Sequence, residues 1–581
     1  MRRWHFVFLA AIPLLLNLSH PPSRMELTWW TTHALDKVRP YDAGPTHGQN
    51  GIKIQAARNE FEPFQIVLRA VSQEAEAVDI NVTDLRGANS VIPSQTCVTV
   101  YLERYLDLKM PSGTDGATGE WPDPLIPQID RYKKEKRNAF PFQLTKHRNQ
   151  PVWVEVYVPP HTPAGSYHGE VQISIAGEQR ISIPVDLEVW NFDLPSTSTL
   201  VTTFGFSGNT GLRRHYGRYT SDKDVADITS LYQKSGLWHR ITLDGSAGSH
   251  PLVVSSGTRP AIQWDAYDAQ IGPVMDGQAF SRGEPLYGAR ATSVALHPPP
   301  SLTGAEQQTQ YWREAVSHFR QKGWLDRLFL YLWDEPKESQ YSKMIDLGRT
   351  ARRAAPELKI LVTAPLHPEW QDFVDIWTPT INCLERKPPH PDYCQPAVDR
   401  VGYNAELGRG KQLWWYQACN THSCNGVGGD YFTGWPSYMI DHDGVRNRIM
   451  PWMAWKYGIG GELYYATNEA YASKDPWKDV YVFGGNGDGT LFYPGRPDVI
   501  GGRTHIPIES IRLKLIREGL EDYEYLVLLN KLSGSQSATK AVDSLIRNIY
   551  DFDSSPERLY AIRESIATEI LRRMGTPAQR R

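Results

Sequence analysis

Leu328-Phe329-Leu330-Tyr331-Leu332-Trp333-Asp334-Glu335-Pro336 runs six apolar or aromatic residues straight into two adjacent carboxylates and a proline. A short unbroken apolar run closed by a turn residue is the form of a strand covered on both faces, as in a parallel sheet. Helical runs flank it, at Tyr311–Lys322 and Tyr341–Ala355. Further buried-type strands read at Val201–Gly205, His239–Leu243, Ile360–Thr363, Leu413–Tyr416 and Gly461–Tyr465. Strand–helix alternation from Val201 onward is the sequence form of a (β/α)8 barrel. The C-terminal strand ends of such a barrel face its active site, which places Asp334 and Glu335 at the mouth. Residues 246–310 are Pro/Gly-rich with weak periodicity and read as a long loop insertion beside one barrel strand.

Upstream, residues 25–190 read as all-β. Ile52–Ile54, Gln65–Leu68, Trp153–Val158 and Val185–Val189 alternate apolar and polar side chains between Pro/Gly turns. The stretch Pro159–Gly165 is a turn between two such strands. Short antiparallel strands at this spacing predict a β-sandwich. Asn191–Thr199 reads as a linker, residues 200–530 as the barrel and 531–581 as C-terminal helices packed on it. Ile508, Ile511, Leu515, Leu520, Tyr523 and Leu526 form one apolar stripe. A last helix starts at Ser555-Pro556-Glu557 and carries Leu559, Ile562, Ile566 and Ile570 on one face.

The chain has 581 residues with 62 basic and 65 acidic side chains, a net charge of −3 that offers no basic excess for nucleic acid. Its 19 Trp, 29 Tyr and 17 Phe suggest a surface that stacks on sugar rings. Met1-Arg2-Arg3 followed by an apolar run from Phe6 to Leu16 fits a signal peptide over residues 1–20. That run is shorter than the ~20 residues a spanning helix needs, and no cysteine follows it to carry a lipid. A secreted or periplasmic protein with no membrane span in its mature chain is expected. Of the five cysteines, Cys383/Cys394 and Cys419/Cys424 read as two local disulfides, with cross-pairing equally open, and Cys97 as a buried free thiol. Cys419, His422 and Cys424 are too cramped for a metal site and lack a fourth ligand, so neither metal nor other cofactor is expected.

Hydrophobic surroundings at a strand end would raise a carboxyl pKa, as a general acid requires. Pro336 biases Glu335 toward an extended backbone. Neighbouring strand residues project to opposite sides, so Asp334 and Glu335 do not easily straddle a glycosidic bond as acid and nucleophile. An adjacent Asp-Glu pair suits substrate assistance instead, in which the sugar's own acetamido oxygen attacks the anomeric carbon. Leu328–Trp333, Lys411–Cys419 and Trp452–Asn468 each carry aromatics to a strand end, making Trp333, Trp415, Tyr416, Tyr465 and Asn468 candidate substrate contacts. Arg240, in His239-Arg240 on the second strand, is a candidate cation in the site. Asp375 and Glu462 are alternative nucleophiles if the Asp-Glu pair does not act through the substrate.

These features resemble glycoside hydrolase family 123 and the related domain-of-unknown-function 4091 proteins. The resemblance is carried by Ala57–Gln65, Pro163–Gly169, Asp334-Glu335-Pro336, Trp414-Trp415-Tyr416, Trp455–Gly461 and Arg517–Leu526. It implies a β-sandwich followed by a (β/α)8 barrel, and a retaining exo-β-N-acetylgalactosaminidase acting on glycans with a terminal amino sugar. In that pattern Asp334 orients the acetamido group and Glu335 is the acid/base. A glycosidase of other specificity with a separate nucleophile, and a silent carbohydrate-binding protein, are the competing expectations.

Overall fold

The computed structural model describes residues 26–45, 51–217, 221–245, 248, 250–255, 260–385, 387, 394, 400–418, 424, 431 and 433–575. The signal-peptide segment, Cys419 and His422 lie outside them.

The N-terminal domain is two facing sheets of five and seven strands. Strand Glu60–Ala70 is an inner strand of the first and is buried along nearly its whole length, because each face meets a different core. Phe64, Ile66 and Leu68 point between the sheets. Phe61, with Trp153 from the neighbouring strand, belongs to the core shared with the barrel. The second sheet is not wholly antiparallel, since Ile52–Arg58 pairs in parallel with Glu178–Asp193. The Pro159–Gly165 turn carries the chain from one sheet to the other. The expected linker is partly structure: the strand runs to Asp193, and Phe192 and Leu194 are buried against both domains.

Eight parallel strands form the barrel: β1 (Val201–Gly205), β2 (Leu243–Asp244), β3 (Val294–Leu296), β4 (Leu328–Asp334), β5 (Lys359–Thr363), β6 (Ile376–Trp377), β7 (Gln412–Gln417) and β8 (Gly461–Tyr464). They pair in sequence order around the ring, with β8 against β1. The ladder stops between β2 and β3, where side chains bridge the seam. Thr292 N–H donates to Thr242 Oγ1 at 2.8 Å and Ala295 N–H to Asp244 Oδ1 at 3.2 Å. Ala295, Phe329, Leu361, Ile376 and Trp414 fill the lumen. Trp414 fits because its neighbour is Gly461, where a Cβ would lie 2.5 Å from the indole.

Two elements of the barrel differ from the sequence expectation. The supposed loop 246–310 contains β3, together with the hairpin Leu252–Ser255/Ala261–Gln263 and the helix Asp265–Met275. The second strand begins at Leu243 rather than His239, because the helix Asp222–Trp238 runs on to that point.

The C-terminal helices Ile511–Ser533 and Pro556–Gly575 pack on each other and on both domains. They carry a buried ionic network. Arg563 meets Glu60 (2.5 Å), Glu62 (3.0 Å) and Asp522 (3.1 Å), and Arg448 meets Asp522 (2.7 Å). Glu155 of the sandwich is held by Arg517 (2.8 Å), Arg131 (3.0 Å) and Lys514 (3.1 Å). Glu60, Glu62 and Arg517 therefore join the sandwich to the C-terminal helices rather than serve the barrel mouth. Cys383 and Cys394 form a disulfide, which excludes the crossed pairing, and Cys97 is a buried free thiol.

Candidate active site

The C-terminal ends of the barrel strands open into a cavity of about 1110 Å³. Asp334 and Glu335 lie in its wall at the end of β4. Strict alternation would turn one of them away, but two backbone departures intervene. Pairing between β4 and β5 slips after Tyr331, so that Trp333 rather than Leu332 faces Val362. Glu335 then adopts φ +43°, a left-handed conformation in place of the extended one that Pro336 favours. A non-glycine residue held there costs about 1–3 kcal/mol and persists only where its surroundings impose it.

The Thr363 hydroxyl at the end of β5 is what imposes it. It accepts the Glu335 backbone N–H at 3.0 Å and donates to Asp334 Oδ1 at 2.8 Å. Tyr331 O–H donates to the same Asp334 oxygen at 2.9 Å, and Tyr416 O–H donates to Glu335 Oε1 at 2.6 Å. Burial, reinforced by the adjacent carboxylates, pushes both phenols well above their ordinary pKa, so both remain donors. Among the described residues, the side-chain hydrogen bonds to the two carboxyls fall on Asp334 Oδ1 and Glu335 Oε1. Both carboxyls are exposed to the cavity, so the apolar enclosure expected from the strand does not surround them.

His297, just past β3, stacks on Tyr331 with ring centroids 4.8 Å apart. Burial lowers its pKa against the opposing pull of Asp334. Asp244, at the end of β2, is pushed up to about 6 by burial, although backbone N–H groups of Ala295 and Gly245 favour its charged form. Trp333, Tyr464, Tyr465, Phe483 and Asp488 complete the aromatic and polar wall.

Two family models match the chain: the glycoside hydrolase 123 N-terminal domain over residues 39–175 and the glycoside hydrolase 123 catalytic domain over residues 298–529. The chain belongs to glycoside hydrolase family 123. A solved family 123 glycoside hydrolase from Clostridium perfringens, studied for glycolipid glycan hydrolysis, shares the fold with a TM-score of 0.67 at 15% identity. That likeness covers 94% of this chain and 97% of that one. A family 39 glycoside hydrolase from Bacteroides cellulosilyticus matches at a TM-score of 0.32 and 11% identity, over 76% of this chain and 81% of that one. A Bacteroides ovatus GH5 xyloglucanase matches at 0.28 and 10%, over 81% and 98%. These last two carry no weight. No curated protein matches.

In this family 123 barrel the catalytic-domain match includes β4, β7 and β8, whose ends contribute Trp333, Asp334, Glu335, Tyr416 and Tyr464 to the cavity wall. Of the residues singled out from sequence, Asp334, Glu335, Trp333, Tyr416, Tyr465 and Asn468 meet in the cavity. Asn468 is committed there: its Nδ2 donates to Ser207 carbonyl oxygen at 2.9 Å and its Oδ1 accepts Ser207 N–H at 3.1 Å, tying β1 to β8. Arg240 is not in the site. It follows the helix Asp222–Trp238 at the opposite end of the barrel, with φ +59°, and is buried against Glu521 (3.1 Å) and Asn59 carbonyl oxygen (2.9 Å). Trp415 is also excluded, because Trp414 and Tyr416 take the inward positions of β7 and leave Trp415 fully buried in the core outside.

Neither alternative nucleophile lines the cavity. Asp375 pairs with Arg352 and Lys411 (2.9 Å) at the start of β6. Glu462 accepts from Gln417 Nε2 (2.7 Å) and Tyr438 O–H (2.8 Å) behind β8.

Tyr331, Thr363 and His297 escaped the sequence reading. Tyr331 was within reach, since it lies on the quoted strand and in phase with Trp333. Thr363 closes the next strand at the same height. His297 follows a strand of three residues that gave no periodic signal.

Proposed function

We propose that this family 123 glycoside hydrolase is a retaining exo-β-N-acetylgalactosaminidase that uses the substrate's 2-acetamido group as nucleophile. The observation that carries this reading is the single Thr363 hydroxyl holding Asp334 and Glu335 side by side on one wall of the cavity. Both hydrogen bonds to Asp334 fall on Oδ1, so Oδ2 is available to accept the acetamide N–H and steady the positive charge that develops on the amide. The acetamido oxygen attacks C1 as the glycosidic bond breaks. Glu335 gives its proton to the leaving oxygen and later takes one from the water that opens the oxazolinium ring. Glu462 and Asp375, tied up away from the cavity, do not compete for the nucleophile's role. Export is part of the proposal, supported by Met1-Arg2-Arg3 before a short apolar run and by a disulfide suited to an oxidising compartment. No helix among the described residues is long and apolar enough to cross a membrane.

The purified protein should release 4-nitrophenol from its β-N-acetylgalactosaminide. Glu335→Gln should abolish that release, and a thiazoline analogue of the oxazoline should inhibit it. Comparable turnover of a galactoside lacking the acetamido group sinks the mechanism. Glycan binding without hydrolysis, unaffected by Asp334→Ala and Glu335→Ala, would instead mark a silent binding protein.

A further inference from the structure

We propose that Phe483 is a specificity-determining platform for the sugar on the leaving-group side, a role that rests on the exo-glycosidase reading above. Phe483 and Gly484 are the two turn residues of the hairpin that pairs Tyr481–Val482 with Gly485–Asn486. Both have positive φ, +47° and +95°. Two-residue turns of this kind take Asn, Asp or Gly at the first position, because a β-carbon and a large side chain crowd the left-handed backbone. A phenylalanine there is costly locally, and a cost of that kind points to a function.

The side chain does not repay the cost by burial, since 55% of it is exposed. It reaches the cavity wall with its ring 6.0 Å from that of Tyr465. Its hairpin follows β8, and β8 lies four strands from β4 in the eight-stranded ring, directly across the mouth from Asp334 and Glu335. The cavity, at about 1110 Å³, exceeds what one sugar ring requires. With the terminal sugar seated over Glu335 and leaving through the open rim, the next ring passes the exposed face of Phe483. An apolar sugar face stacked on it would cover the surface that the fold leaves in water.

The test compares kcat/KM for a β-N-acetylgalactosaminyl disaccharide with that for β-N-acetylgalactosaminyl fluoride, whose leaving group has no ring to stack. Phe483→Ala should lower the disaccharide value about tenfold, the share expected for uncovering half an aromatic side chain, and leave the fluoride within twofold. Phe483→Trp should retain the disaccharide activity, which separates stacking from damage to the turn. Rates on both substrates unchanged from wild type in Phe483→Ala, or an equal fall on both, overturn the platform while leaving the enzyme's proposed activity standing. A wild-type protein that turns over neither substrate overturns both.

Discussion

Removing the Thr363 hydroxyl while keeping its shape should uncouple the two carboxylates. Thr363→Val deletes the donor to Asp334 Oδ1 (2.8 Å) and the acceptor for the Glu335 N–H (3.0 Å) in one step. A hydrogen bond to a charged group is worth about 1.5–3 kcal/mol. The strain at Glu335, φ +43°, is of similar size and loses its restraint in the same variant. Misplacing the pair by that much predicts a fall in kcat/KM of about ten- to a hundredfold. The loss should lie mainly in kcat, because the two shortest hydrogen bonds of the Thr363 hydroxyl go to Asp334 and Glu335, with Tyr331 O–H farther off at 3.4 Å. Thr363→Ser keeps the hydroxyl and should keep most of the activity. The assay is release of 4-nitrophenol from its β-N-acetylgalactosaminide, with thermal unfolding measured alongside. A valine variant that is folded and as active as wild type refutes the coupling.

Arg240→Ala should behave as a stability variant, not a binding one. Breaking the buried pair with Glu521 should cost about 3–5 kcal/mol by urea unfolding and leave KM unchanged. Glu462 is raised to about 7 by burial, despite hydrogen bonds from Tyr438 and Gln417 that favour its charged form. The folded state therefore holds a proton that the unfolded state releases near its ordinary value, and this contribution to stability is lost as pH rises through about 7. Glu462→Gln should flatten that decline in a Tm-versus-pH series. Glu155 has the opposite sign: burial would raise it, but Arg517, Lys514 and Arg131 outweigh burial and hold it well below the usual range. Its contribution is present above the ordinary glutamate pKa and lost at lower pH, so Glu155→Gln should destabilise the protein at pH 7 and converge with wild type in acid. Finally, the described cavity wall sets Asp244, Asp334, Glu335, Glu469 and Asp488 against Lys343 alone among lysines and arginines. Sulfated or sialylated substrates should be turned over more slowly than neutral ones, with a gap that narrows as salt is added.

Strands β4, β5, β7 and β8 were readable because each has four or more residues, most of them apolar or aromatic. Strands β3 and β6, with three and two residues, are too short to display a repeating pattern and take their identity from the neighbours they pair with. His239-Arg240 looked like the start of a strand because nothing local tells that the preceding helix extends to Trp238. The alternation of Trp414, Trp415 and Tyr416 was legible, but its phase was not. Gly461 on the adjacent strand sets it by leaving room for Trp414 inside. The Asp-Glu pair stood out from sequence for its chemistry, whereas its geometry depends on a slipped register and on a hydroxyl one strand away. The proline rule failed at Glu335 because that hydroxyl outweighs a local preference.

Substrate assistance is tested most directly by the basicity of the acetamido oxygen. A series of aryl β-galactosaminides carrying N-acetyl, N-fluoroacetyl, N-difluoroacetyl and N-trifluoroacetyl groups changes little but the nucleophile. The mechanism at Asp334 and Glu335 predicts that kcat falls steeply at each added fluorine. A flat series, together with covalent trapping of an enzyme carboxylate by a 2-fluoro sugar, would contradict it.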